Sequence, residues 1–165
     1  MPNSVLVAYG TTNGSTAEIA EAVGEVLRKD GLAVDVMPAE SVATVESHEA
    51  VVVGGALYAG RWHKNARRLV RRHGRALAGR PLWLFSSGPL GTEAAGRDVP
   101  PVPDVKKIMT RLEAREHVTF GGCLEAGAKG WVAGMILRSG KGGDFRDFTE
   151  IEEWAGRVAA ELTGR

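Results

Sequence analysis

One cysteine, Cys123, is all that the 165 residues contain, which leaves no disulfide framework and favours a reducing compartment. No apolar run approaches the roughly 20 residues of a membrane-spanning helix. Met1-Pro2-Asn3-Ser4 has neither the basic start nor the apolar stretch of a secretory signal, so the expected location is cytoplasmic. Asn13-Gly14-Ser15, although sequon-like, is therefore read as a turn. Lysine and arginine are missing before Arg28, and aspartate and glutamate are missing from Ala50 through Thr92. The first of these gaps removes a Walker-type nucleotide loop, whose lysine must reach the terminal phosphates. The second creates a basic block of eight residues: Arg61, Lys64, Arg67, Arg68, Arg71, Arg72, Arg75 and Arg80.

What is present is globular. Hydrophobic residues make up 44% and charged residues 25%, and the length suits one domain, 1–165, able to bury roughly two-thirds of its unfolded surface. The net charge of +1 conceals segregation, because residues 1–49 hold eight acids and two bases.

Ser4 to Tyr9 reads as a strand buried on both faces. A helix is expected over 15–29, with Ile19, Val23, Val26 and Leu27 on one face and Gly31 as its stop. Leu32 to Met37, interrupted by Asp35, suits an edge strand, and a short helix is expected around Glu40 to Thr44. Ala50 to Gly55 is the third strand, followed by a loop, Ala56 to His63, that carries two large aromatics. Lys64 to His73 is a basic helix with Ala66, Leu69 and Val70 inward. Pro81 to Ser86 is the fourth strand and runs into a small-residue loop, Ser86 to Thr92. The proline-bearing stretch 96–103 reads as an extended connection. Asp104 is the expected N-cap of a helix to about Ala114, with Val105, Ile108, Met109 and Leu112 inward. His117 to Leu124 is the fifth strand, 126–147 an insertion with the apolar run Trp131 to Leu137, and 149–162 a last helix with Ile151, Trp154, Val158 and Leu162 on its inner face.

Strands alternating with helices predict an α/β doubly wound five-stranded parallel sheet, order 2-1-3-4-5, with an insertion after strand five. In that order Gly10 to Thr16 and Gly54 to His63 face one another across a crevice, and Ser86 to Thr92 closes it. The hydroxyls of Thr11, Thr12, Ser15 and Thr16, the Asn13 amide and backbone N–H groups at the helix start suit a phosphomonoester. Tyr58 and Trp62 offer faces for a planar ring, with the alternative that they are loop anchors packed on the protein. Phosphate plus ring describes FMN.

The run Tyr9-Gly-Thr11-Thr-Asn-Gly14-Ser-Thr16-Ala-Glu-Ile-Ala20-Glu-Ala-Val23 resembles the flavodoxin signature, departing from it at Ala8. The length, the aromatic second loop and Gly143-Asp144-Phe145-Arg146-Asp147-Phe148 resemble the subgroup that includes menaquinone-dependent protoporphyrinogen oxidase. The resemblance implies a flavodoxin-like FMN oxidoreductase or electron carrier. Thr11, Thr12, Asn13, Gly14, Ser15 and Thr16 would hold the phosphate. Ala56, Leu57, Tyr58, Gly60 and Trp62 on one side, and Ser86, Ser87, Gly88, Pro89 and Gly91 on the other, would sandwich the isoalloxazine. Backbone groups of Tyr58 to Gly60 are the candidates for contact with flavin N5. The implied partners are a redox protein, a quinone or a small substrate, with no nucleic acid; the basic helix 64–73 or the run 131–137 are candidates for peripheral membrane contact.

Plainer readings exist for individual residues. Cys123 reads as a small hydrophobe of a buried strand, and His63 as a polar loop residue beside the ring site. A response-regulator receiver would need carboxylates where Tyr9-Gly10 and Gly54-Gly55 stand. The remaining rival is a flavodoxin-fold scaffold or binding domain without flavin.

Overall fold

The computed structural model describes residues 3–12, 14–58, 60–88, 101–121, 123–124, 143–144 and 146–164. β1 (Ser4–Gly10), α1 (Ser15–Lys29), β2 (Ala33–Pro38), β3 (Ala50–Tyr58), β4 (Arg61–Trp62), α2 (Lys64–Arg72), α3 (Gly74–Ala78), β5 (Leu82–Ser87), α4 (Pro103–Leu112), β6 (Glu116–Phe120), β7 (Cys123–Leu124), β8 (Gly143–Asp144) and α5 (Phe148–Thr163) follow in that order. The parallel path of the main sheet runs β2-β1-β3-β5-β6. This is the expected order 2-1-3-4-5, renumbered because the two-residue β4 pairs antiparallel to the end of β3.

Each sheet face is covered by its own helical layer. Alternate side chains of the central strands make the division: Val5, Val7, Val52, Phe85 and Val118 pack with α1 and α5, whereas Leu6, Ala8, Val51, Val53 and Leu84 pack with α2 and α4. A strand buried on both faces reads as a continuous apolar run, and β1 and β3 do. α1 matches its expected bounds, and Ile151, Trp154, Val158 and Leu162 of α5 are buried as its periodicity requires.

Other expectations are corrected. The helix expected at 40–44 is a single 3-10 turn, Ala39–Ser41, that follows Pro38. The strand expected at 117–124 ends at Phe120, and Cys123–Leu124 instead pairs antiparallel with Gly143–Asp144. The basic helix stops at Arg72, with α3 beginning two residues later. Asp104 does not cap α4. Val102 holds that position and Pro103 is the first helical residue, a place where its missing N–H and fixed φ cost nothing. The Asp104 carboxylate accepts instead from Arg61 Nε at 3.2 Å. Residues 125–142, which hold most of the insertion expected at 126–147 and all of Trp131 to Leu137, lie outside the described residues, as do 89–100.

The glycine pair at the end of β3 has a packing cause. A Cβ on Gly54 would stand 2.0 Å from the Phe85 ring, and one on Gly55 2.5 Å from the Trp62 indole nitrogen. Neighbouring residues of a strand point to opposite faces, so each glycine admits one aromatic ring, one per layer.

Candidate functional site

β1, β3 and β5 lie side by side and parallel, with Gly10 opposite Gly55 and Ala56 opposite Ser87. Their C-terminal ends therefore carry the three small-residue loops to one edge of the sheet. Side chains tie the loops together. The His63 ring stands with Nε2 3.0 Å from Thr12 Oγ1, and its centroid is 6.1 Å from the Tyr58 ring in an edge arrangement. Gly88, at φ +91°, lies against Leu57, and its N–H donates to the Phe120 carbonyl at 2.8 Å.

The first loop is built around an unusual helix start. Gly14 precedes α1 with φ +86°, a conformation glycine reaches without steric cost. Among the described residues no side chain caps the helix, although Thr11 lies just ahead of it. Thr11 Oγ1 accepts from the Gly14 N–H at 3.1 Å, ordering the turn ahead of the helix. Thr16 is fully buried, and its Oγ1 has no hydrogen-bond partner among the described residues. Burying a hydroxyl unpaired costs about 1–3 kcal/mol. The Ala17 N–H of this turn donates back to the Gly14 carbonyl at 3.1 Å, so the first turn of α1 combines the positive end of a helix dipole with a hydroxyl that has no partner among the described residues.

A cation reaches this turn from far away in the sequence. Arg146 Nη1 donates to the Ser15 carbonyl at 3.3 Å and to the Glu18 carboxylate, and the guanidinium lies 5.1 Å above the Phe148 ring. The missing cations before Arg28 hid it from a local reading of the loop. The only signal in the sequence was the Gly143 to Phe148 run, which carried no spatial information.

The second loop is not a loop at its start. Ala56 to Tyr58 continue β3, Leu57 pairs with Trp62, and Tyr58 pairs with Arg61, with Gly60 at φ +74° in the turn. Trp62 is a correction to the stacking assignment: the ring is 1% exposed, lies in the layer with Leu69, Val70 and Val105, and donates Nε1–H to the Phe85 carbonyl at 3.2 Å. It anchors the hairpin and offers no face to a ligand. Tyr58 and Leu57 are half-buried and Gly60 is exposed at the same edge. Ala56, Ser86 and Ser87 are buried. Asn13, Ala59, Pro89 and Gly91 lie outside the described residues.

His63 is more than a surface residue. It is 6% exposed, and its Nδ1 accepts the Asn65 N–H at 3.1 Å, capping α2. A nitrogen that accepts carries no proton, so the ring is neutral with its hydrogen on Nε2, donating to Thr12. Burial pushes the His63 pKa down; the Glu40 carboxylate opposes that shift, and Lys64 and Arg67 add to it.

A second buried histidine sits below the third loop. His117 Nε2 lies 2.8 Å from Ser86 Oγ, while Nδ1 has no partner among the described residues, and burial pushes the pKa down to about 4. The unfolded chain takes up this proton near pH 6.5 and the folded chain resists it. Stability should be at its plateau above pH 6.5 and fall as the pH drops toward 4. The expected loss, about 3 kcal/mol, is measurable by denaturant titration across that window. His117→Gln should flatten the profile, and an equally steep profile in that variant would show that another group is responsible.

Residues 6–137 match the family described as Flavodoxin domain. The chain belongs to the flavodoxin domain family. Flavodoxin structures share its fold over nearly the full length. A flavodoxin from the domain Archaea is 14% identical with a TM-score of 0.65, covering 97% of this chain and 99% of that one. A cysteine-to-serine mutant of the flavodoxin from Pseudomonas aeruginosa is 18% identical with a TM-score of 0.62, covering 98% and 99%. Rubredoxin oxygen:oxidoreductase of the anaerobe Desulfovibrio gigas is 14% identical with a TM-score of 0.63, covering 98% of this flavodoxin-domain chain and 36% of the larger protein. No curated protein matches the sequence. Among the described residues no helix is long and apolar enough to cross a membrane, and no cluster of three or more histidine, cysteine or acidic side chains could hold a metal ion.

Proposed function

We propose that this flavodoxin-domain protein binds FMN at the C-terminal edge of β1, β3 and β5 and passes electrons through it. The observation that carries the reading is the Thr16 hydroxyl, buried and without a partner among the described residues in the first turn of α1, a donor that a phosphate dianion at the helix start would satisfy. Thr11, Thr12, Gly14 and Ser15 would complete that end together with Asn13. The ring would lie between the β3–β4 hairpin, with Leu57, Tyr58 and Gly60 at the contact and Ala56 behind them, and the third loop of Ser86, Ser87, Gly88, Pro89 and Gly91.

When bound, the flavin supplies one- and two-electron chemistry. The chain's own part is to hold and shield it. The α1 N-terminus fixes the phosphate, Arg146 braces the Ser15 peptide and Glu18 from outside, and the neutral His63 orients the Thr12 hydroxyl. Tyr58 would screen one ring face from water. Protoporphyrinogen oxidation with a quinone acceptor is the finer reading, supported by the resemblance in length, in the aromatic second loop and in Gly143 to Phe148.

The test is a titration of flavin-free protein with FMN and with riboflavin, read by the absorbance and fluorescence of the flavin. FMN is expected to bind at least a hundredfold more tightly, which corresponds to about 2.7 kcal/mol from the phosphate. Absence of FMN binding would leave the flavin-free scaffold reading in possession. Anaerobic assays of protoporphyrinogen with a quinone, beside reduction by a ferredoxin, then separate oxidase from carrier.

A further inference from the structure

The net charge of +1 is divided between the two helical layers. α1 and α5 together carry seven carboxylates and three cations, a net of −4. On the opposite face of the sheet, α2, α3 and α4 carry nine cations and one carboxylate, a net of +8. Lys64, Arg68, Arg71, Arg72, Arg75, Lys106, Lys107 and Arg111 are all exposed there, and none forms an ion pair among the described residues. The lone carboxylate, Asp104, is already engaged, 3.2 Å from Arg61 and 3.9 Å from Arg67. Arg80 is not part of this surface, because its guanidinium is held by the carbonyls of His48, Ala76 and Glu46.

We propose that the α2–α3–α4 layer is the docking surface for an acidic electron-transfer protein. The proposal rests on the flavin reading only for the electron; the contact itself does not require a flavin. Like charges at this density repel one another and would be relieved by a partner rich in carboxylates, with which arginine pairs bidentately. The surface is also continuous with the proposed ring site, since His63, the cap of α2, directly follows the β3–β4 hairpin and Arg61 of that hairpin binds Asp104 of α4. The acidic layer on the far side adds orientation: an acidic partner is drawn to one face and pushed from the other, so encounters favour the hairpin side. An anionic membrane is the poorer match. None of the exposed positions on these helices bears an aromatic or large aliphatic side chain to enter the headgroup boundary.

FMN-loaded protein mixed in a stopped-flow cell with a reduced, acidic [2Fe–2S] ferredoxin should gain one electron per encounter as the cluster is oxidised. The second-order rate constant is expected to fall at least tenfold between about 20 and 300 mM salt. Arg68→Glu with Arg71→Glu should lower the low-salt rate at least tenfold and leave FMN affinity unchanged; the milder Arg68→Gln with Arg71→Gln should lie between. Electron transfer from the reduced protein to cytochrome c, a basic probe, should show the opposite salt slope. Chemical-shift changes in flavin-free, ¹⁵N-labelled protein titrated with the same ferredoxin should map to 64–75 and 103–112, which separates failure of docking from failure of flavin binding. A salt slope of the same sign for both probes, shift changes outside these helices, or salt-sensitive binding to phosphatidylglycerol vesicles without any ferredoxin contact would overturn the proposal.

Discussion

Replacing Thr16 by valine should leave the flavin-free protein at least as stable as the parent while weakening FMN binding by one to two orders of magnitude. The two effects have one origin. Thr16 Oγ1 is buried without a partner among the described residues, so the folded, flavin-free chain carries a desolvated hydroxyl worth about 1–3 kcal/mol. Valine keeps the β-branched shape in the first turn of α1 and removes that penalty, so unfolding free energy should rise by about 1 kcal/mol. In the complex, the same hydroxyl would donate to a charged phosphate oxygen, a bond worth about 1.5–3 kcal/mol, or about ten- to more than a hundredfold in affinity. Riboflavin affinity should hardly change. Equal FMN affinity in the parent and the variant would place the phosphate elsewhere.

Trp154→Ala should cost about 3–5 kcal/mol of unfolding free energy, the largest loss expected from any single truncation in the layer between the sheet and α5. The ring is fully buried and meets Phe85 at 6.3 Å and Phe120 at 5.7 Å, both edge-on, while those two rings are 5.8 Å apart. Such geometry adds about 0.5–1.5 kcal/mol per pair beyond area. The indole N–H also donates to Glu116 Oε1 at 2.5 Å, joining α5 to the edge strand β6. Phe85 in turn covers the bare Cα of Gly54, so the cavity left by alanine would loosen the centre of the sheet as well as the helix. Urea unfolding with an unchanged m-value would measure it, and Trp154→Phe should recover a part. A loss below about 1.5 kcal/mol would mean that the cavity is refilled and the three rings do not act as a unit.

Long periodic elements were legible in the sequence because their patterns are dictated by one neighbour, the core. The bounds of α1, the buried stripe of α5 and the strand order follow from that. Contacts decided by two distant segments were not legible. A two-residue strand such as Arg61–Trp62 is too short to show alternation, and Trp62 looks like a ligand-facing aromatic until Gly55 on the adjacent strand segment is seen to leave it a socket. Arg146 is far from Ser15 in sequence and arrives beside it only because α5 packs on α1. His63 looks like any loop histidine, since its importance lies in having both ring nitrogens occupied at once. The departure of Asp104 from capping follows the same rule: a local preference yielded to Pro103 and to a pair of arginines supplied by other elements.

The imidazole of His63 has a thermodynamic corollary. One nitrogen is committed to the start of α2 and the other to Thr12, while the ring edge meets Tyr58, so the proposed phosphate end and ring end share a single rigid crosspiece. Any rearrangement of Tyr58 that tilts this crosspiece alters the hold on Thr12, and reciprocity requires phosphate occupancy to bias Tyr58 by the same factor. A flavin's tail and its ring would then be cooperative ligands of one another, and substitutions in either loop would shift binding strength and ring environment together.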